Sequence, residues 1–259
     1  MRVFDFDRAL VREPAESVVQ GLRMGSEPPA YDRVVAEHRA YVAALEAAGV
    51  RVEVLPPLRD HPDSVFVEDP AFVLTEGAIL LRPGAPSRFH ESASLALVLR
   101  RHFARVAQVD EGFVDGGDIL VLPDEIVIGL SARTDQAGAE RFCALARDLG
   151  RIARIVEPPS GLLHLKTGCA LVDERTLIAV PAMAPLFPDR EVLVTPPGEE
   201  HSANLIRVND RILMGDSFPR TAAMLAGRGL RVVQTPAGEI AKIDAGLSCM
   251  SLRWHSGAE

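Results

Sequence analysis

Short apolar runs arrive along the chain in pairs, each pair wrapped around a tight polar bend. "SVFVEDPAFVLTEGAILLRPG", "DGGDILVLPDEIVIGLSAR", "LKTGCALVDERTLIAVPA" and "SANLIRVNDRILMGDS" all read as strand, turn, strand, with Glu-Gly, Pro-Asp, Asp-Glu or Asn-Asp at the bend. Amphipathic stretches follow. "HESASLALVLRRHFARV" places Leu95, Val98 and Leu99 at i, i+3, i+4, and "DQAGAERFCALARDLG" places Phe142, Leu145, Ala146 and Leu149 on one face, so both predict helices. A further short strand completes each unit: "ARVAQV", "ARIVEP", "REVLVTP", "LRVVQTP". The stretch "AMAPLFPDREVLVTPPGEE" is short for its place in the plan, so one unit is expected to lack a full helix.

A fifth copy straddles the termini. "GLSCMSLRW" from the end would pair with "RVFDFDRALV" from the start, followed by the helix "YDRVVAEHRAYVAALEAAG" and the strand "VRVEVLPP". Five like units predict a closed radial arrangement over residues 1–259, a single domain whose ring is locked where the two ends meet and whose sheet edges are thereby hidden.

Composition narrows the partners. With 47% hydrophobic and 25% charged residues the chain is globular, and a net charge of -8 gives no positive field to attract nucleic acid. No run of uncharged apolar residues is long enough to span a membrane, and the first residues mix both charge signs where a signal peptide would be apolar. A cytoplasmic protein is expected. Three cysteines without a CxxC pair suggest neither a disulfide framework nor a structural metal site. Cys143 falls in the helical pattern and Cys169 opens a strand-like run, which reads as packing; Cys249 lies in the apolar run "GLSCMSLRW".

Set against the repeat, the polar oddities Asp69, Asp115, His164, Asn204 and Cys249 each fall near the first strand of a unit, at intervals of roughly 45 residues. If equivalent strands face one axis, a carboxylate, an imidazole and a thiol converge there. That set suits nucleophilic catalysis: a thiolate attacks, an imidazole moves protons, and a carboxylate on the far ring nitrogen fixes the tautomer. Taken singly, His164 is equally a core histidine and Asp115 a turn cap. The two glycines of "DGGD" at a strand opening call for a close approach by backbone or ligand.

The segments "DSVFVEDPAFV", "RPGAPSR", "DGGDILV", "GLSARTDQAGAE", "GLLHLKTGCA" and "KIDAGLSCMS" resemble, in order and spacing, the dimethylarginine dimethylaminohydrolases of the guanidino-group-modifying, or pentein, superfamily. The resemblance implies a five-bladed α/β propeller of pseudo-symmetric ββαβ units. It implies an enzyme without metal or organic cofactor that hydrolyses Nω-methylated arginine to citrulline, with Cys249 as nucleophile, His164 as acid and base, and Asp115 orienting the histidine. Glu68 and Asp69 would grip the guanidinium, Arg88 and Arg133 the α-carboxylate, and Leu22, Asp63 and Ile243 would surround the α-amino group. Some members carry two adjacent cysteines where this chain has Cys249-Met250, and some a serine where Thr167 stands; neither difference removes a reactive group. In alternating strand register Glu68 and Asp69 would face opposite sides, with at least one charge turned inward. A related hydrolase of arginine, hydroxyarginine or another guanidine, and an amino-acid-binding propeller without activity, remain as alternatives.

Overall fold

The structure, a computed structural model, describes residues 2–257. From the N-terminus come β1 (Arg8–Arg12), α1 (Tyr31–Ala47) and β2 (Arg51–Leu55), and then β3 (Ala71–Leu74), β4 (Gly77–Leu80), α2 (Glu91–His102) and β5 (Val106–Gln108). The third group is β6 (Ile119–Val121), β7 (Ile126–Gly129), α3 (Gln136–Asp148) and β8 (Ala153–Val156). The fourth is β9 (Cys169–Leu171), β10 (Thr176–Ala179) and β11 (Glu191–Val194). The fifth is β12 (Ile206–Val208), β13 (Arg211–Gly215), α4 (Pro219–Gly227) and β14 (Arg231–Thr235), after which α5 (Gly238–Ala241) leads to β15 (Leu252–Trp254).

Each group is one three-stranded sheet in which a hairpin is followed by a parallel strand, and the terminal sheet has the order β15-β1-β2. Closure through the termini is as expected: β15 pairs antiparallel with β1, with Leu10 opposite Leu252 and Arg8 opposite Trp254. Five apolar clusters fill the five junctions between successive blades, so the ring has no open seam. Leu10 and Trp254 pack with Ala78 and Leu99; Phe72 with Ile128 and Phe142; Val127 with Leu177; Ile178 with Met214; and Leu213 with Ala9 and Tyr41. This is a five-bladed α/β propeller.

Local sequence explains the variations between blades. In α3 the Asp135 carboxylate accepts the Gly138 N–H at 2.8 Å, a normal N-cap, and the apolar face expected from periodicity is the buried one. The fourth blade has no α-helix in its crossover. Pro181, Pro185 and Pro188 interrupt it, and a single 3-10 turn, Pro181–Leu186, takes the helix's place because proline lacks the N–H that a longer helix requires. At the β12–β13 bend Asn209 adopts φ 54°, which asparagine tolerates, and its side chain bonds the Phe6 backbone N–H at 2.7 Å and the carbonyls of Phe6 and Ala48. That turn therefore fastens the fifth blade to the N-terminal segment.

Phe142 tests the second junction. It is fully buried and meets Phe72 edge-on at 5.0 Å between ring centres. Phe142→Ala should destabilise the protein by about 3–5 kcal/mol, read as a lower urea midpoint. A loss under about 1 kcal/mol would mean that the junction collapses around the missing ring.

Candidate active site

The first strand of every blade is entered through a tight turn, and the five turns meet at one end of the propeller axis. Asp69 precedes β3; Asp115 and the 3-10 turn Gly116–Asp118 precede β6; His164 and the 3-10 turn Leu165–Thr167 precede β9; Asn204 precedes β12; Cys249 lies in the 3-10 turn Leu247–Met250 before β15. Two expectations change here. Cys249 is not inside a strand, and Glu68 and Asp69, in the turn before β3, do not alternate across a sheet. Irregular backbone lets both acids turn inward, at 6% and 3% exposure.

Hydrogen bonds stitch the turns together. The N–H groups of Gly116 and Gly117 reach the carbonyl and Oδ1 of Asp69, both at 3.1 Å; Glu68 N–H reaches the Cys249 carbonyl at 3.2 Å; Ser248 N–H reaches Asn204 Oδ1 at 3.2 Å. His164 Nε2 and Asp115 Oδ2 are 3.0 Å apart, and the other Asp115 oxygen accepts the Gly84 N–H at 2.8 Å. The glycines of "DGGD" are required by space. A Cβ on Gly116 would sit 2.0 Å from the Glu68 carbonyl oxygen, and one on Gly117 would sit 2.6 Å from His164 Nδ1. Gly246 is equally constrained by the Asn204 side chain, 2.3 Å from where its Cβ would be.

Electrostatics set the resting protonation. Burial opposes a charge on His164, but the hydrogen bond to Asp115 and the fields of Asp118, Asp69 and Asp115 outweigh it and push the imidazole up to about 9. Burial, followed by the carboxylates of Asp69 and Glu68, pushes the Cys249 thiol up to about 12. The residue Cys249 is buried, at 8% exposure. At neutral pH the empty site holds an imidazolium and a thiol.

The residues expected at the substrate lie around this centre. Leu22 N–H donates to Asp63 Oδ1 at 2.9 Å, and both that oxygen and Ile243 Cγ2 lie within 3.3 Å of where a Gly21 Cβ would be, so Leu22, Asp63 and Ile243 form one wall. Glu68 Oε1 pairs with Lys166 Nζ at 2.6 Å and Arg253 Nη2 at 3.2 Å, while its Oε2 is buried and receives no hydrogen bond from the described residues. Arg133 is half-buried, and among the described residues its guanidinium has no acceptor. Arg88 is different. It is 4% exposed, its Nη1 pairs with Asp69, its Nε and Nη2 with Glu91, and Nη2 also donates to the Phe66 carbonyl at 2.9 Å. It holds Asp69 in place and keeps at most one Nη1 hydrogen for a ligand.

Asp69, Asp115 and His164 each bring a ligand-type atom within 4.8 Å of the others, the geometry of a metal trio. Of the atoms of this trio, Asp69 Oδ2 is paired with Arg88, and His164 Nε2 with Asp115 Oδ2. Reading the chain pattern alone assigns no role to Asp118, Lys166, Arg253 or Glu91. Asp118 had a signal, the second acid of "DGGD"; Glu91 stands three residues from Arg88, its partner, and Lys166 and Arg253 acquire meaning only through Glu68, far along the chain.

A sequence model of the family described as arginine deiminase matches residues 54–242. The chain is 37% identical over 254 residues to the N(G),N(G)-dimethylarginine dimethylaminohydrolase of Pseudomonas aeruginosa, covering 96% of this chain and 100% of that protein. It is 36% identical to the protein of the same name from Streptomyces coelicolor, with 95% and 96% covered. A crystal structure of the Pseudomonas enzyme, a cysteine-to-serine variant in complex with citrulline, superposes with a TM-score of 0.94 over 96% of this chain and all of that one. Fold and site together define a guanidino-modifying propeller of the pentein type. Within that class the chain belongs to the dimethylarginine dimethylaminohydrolase family.

The raised thiol makes a pH prediction. Below its pKa the thiolate fraction grows tenfold per pH unit, so alkylation of Cys249 by iodoacetamide in the empty protein should be slow at pH 7 and climb without a plateau through pH 9.5. Peptide mapping separates Cys249 from Cys143 and Cys169. A plateau below pH 8 would mean that the empty site stabilises the thiolate.

Proposed function

We propose that the protein hydrolyses Nω-methylated arginine, either Nω,Nω-dimethyl-L-arginine or Nω-methyl-L-arginine, to L-citrulline and dimethylamine or methylamine. The observation that carries this proposal is Glu68 Oε2, a buried carboxylate oxygen without a donor beside the nucleophile and within a cluster of buried acids. A buried carboxylate oxygen favours a cation that can donate to it, and a guanidinium presents N–H groups in the geometry that two acids accept. At the other end of such a substrate, Arg133 is a free fork for an α-carboxylate, and Asp63, beside Leu22 and Ile243, is an acid for the ammonium. Arg88 assists through its remaining Nη1 hydrogen and by fixing Asp69.

The mechanism follows from the protonation states. Docking a guanidinium beside Sγ lowers the thiol pKa, and the thiol proton leaves to solvent as the substrate enters. The thiolate forms a bond to the guanidinium carbon. As the tetrahedral adduct collapses, the C–N bond to the methylated nitrogen breaks and imidazolium His164 gives its proton to the departing amine. A cationic S-alkylthiouronium remains on Cys249. Neutral His164 then takes a proton from water, the hydroxide adds to the same carbon, and the C–S bond breaks with the electron pair returning to sulfur. The hydroxyl proton of that adduct passes to the departing sulfur, which restores the thiol and leaves a neutral ureido group on the product, and the released amine takes up a proton in solution. Asp115 holds the ring and stabilises its cation throughout. Among the described residues no helix is long and apolar enough to cross a membrane.

Two substitutions test this assignment. Cys249→Ser should lower kcat at least about 100-fold while leaving citrulline binding intact, because the covalent step fails and the cage remains. Retention of more than a few per cent of the rate would remove Cys249 from the chemistry. Arg133→Ala should raise KM for dimethylarginine about tenfold or more and hardly change it for the decarboxylated analogue. Equal losses on both would assign the carboxylate to another group. Measuring products from arginine, hydroxyarginine and the methylated arginines side by side identifies the preferred guanidine.

A further inference from the structure

Asp118 is fully buried and takes no direct part in the chemistry above, yet three separate pieces of the site hang from its carboxylate. Oδ1 accepts the Leu165 backbone N–H at 2.8 Å, the residue directly after His164. Oδ2 accepts the hydroxyls of Ser131 and Thr134, each at 2.7 Å. Those hydroxyl oxygens accept in turn. Ser131 Oγ takes the N–H of Arg133 at 3.0 Å and of Thr134 at 3.2 Å, and Thr134 Oγ1 takes the Asp115 N–H at 3.1 Å. Chains of bonds thus run from one carboxylate to the backbone of Arg133, of Asp115 and of the residue beside His164.

We infer that Asp118 is the positioning residue that sets the substrate-carboxylate fork and the catalytic imidazole at a fixed separation, so that one side chain governs both recognition and proton transfer. This rests on the hydrolytic assignment above. The chemistry explains why an acid stands there. Only an ionised carboxylate accepts from three donors at once without offering a hydrogen of its own, and both hydroxyls point their protons at it because their lone pairs are committed to backbone N–H groups. An asparagine of the same shape puts an NH2 where Oδ2 was, or turns it toward Leu165. In either case a donor faces a donor, and one arm of the bracket must move. The buried charge also acts on His164 through space, in the same direction as Asp115.

The length of the substrate is the quantity being set. Arg133 and His164 belong to loops of adjacent blades, and a shift of either changes which guanidino amino acid spans the gap. A residue that only supported the fold would lower activity on every substrate alike. Asp118→Asn should instead raise KM for dimethylarginine about tenfold and lower kcat about tenfold, and on the decarboxylated analogue only the kcat loss should appear. Ser131→Ala, which touches the Arg133 arm and leaves the Leu165 bond in place, should show the carboxylate-dependent KM rise with a much smaller change in kcat.

Far-ultraviolet circular dichroism establishes that each variant is folded. Equal proportional losses on the two substrates, or parameters within twofold of the parent, would overturn the inference. Should Asp118→Asn fail to fold, Ser131→Ala decides: no carboxylate-dependent rise in KM overturns it. The proton resonance of the His164 ring in the substrate-free protein provides a readout that needs no turnover. It should move in Asp118→Asn, and an unmoved resonance counts against positioning. If the parent protein hydrolyses neither substrate while the resonance moves, the hydrolytic assignment has failed and the bracket around His164 stands.

Discussion

Removing a carboxylate from water costs several kcal/mol unless hydrogen bonds or a cation replace the lost hydration. This protein holds Asp69, Asp115 and Asp118 at 3% exposure or less around one imidazole. Supplying three buried acids with partners in so small a volume dictates much of the local geometry. Asp69 has Arg88 and a glycine N–H; Asp115 has His164 and another glycine N–H; Asp118 has two hydroxyls and a backbone N–H. Four of these donors, Gly117, His164, Gly84 and Leu165, come from a blade other than the one that carries the acid. The acids therefore tie the blades together only when the ring is closed, and the ring gives the acids their partners only when it is complete.

A propeller suits this demand because its blades all begin at one end. Four of the turns before a first strand give backbone N–H groups to an acceptor of the preceding blade: Glu68 to Cys249, Gly116 and Gly117 to Asp69, Leu165 to Asp118, and Ser248 to Asn204. Glycine at 116, 117 and 246 lets backbone approach within distances that any Cβ would forbid. The helices and outer strands contribute at a distance. They bury the five junctions and so hold the turns at separations that hydrogen bonds read to a few tenths of an ångström.

The repeat was legible in the sequence because its signals are local. Hairpin bends, helical faces and the proline-broken crossover of the fourth blade each declare themselves within about twenty residues. Convergence of Asp69, Asp115, His164, Asn204 and Cys249 also followed, since equal positions in a ring must share an axis. Side-chain direction did not. Strand alternation was the wrong rule for Glu68 and Asp69, because they sit in irregular backbone just before the strand. Arg88 read as a ligand-binding fork, and its burial against Asp69 depends on a contact 19 positions away that a local pattern does not express. Lys166 from the fourth blade and Arg253 from the first meet at Glu68, a pairing across 98 and 185 positions that no local motif announces.

The split between the two neighbouring acids has a consequence for activation. Asp69 is engaged by Arg88 and Gly117, whereas Glu68 turns one oxygen to Lys166 and Arg253, and its other oxygen receives no hydrogen bond from the described residues. Both carboxylates act on Cys249, and after burial itself they are what raises the thiol. Under the proposed function the same negative field that draws a guanidinium therefore keeps the nucleophile protonated until the guanidinium arrives. A neutral or anionic molecule that wanders in cannot cancel that field and so meets a thiol, which is a poor nucleophile. Recognition and activation become one electrostatic event, and the selectivity of the chemistry for cations comes from the acids that bind them, with no separate gate required.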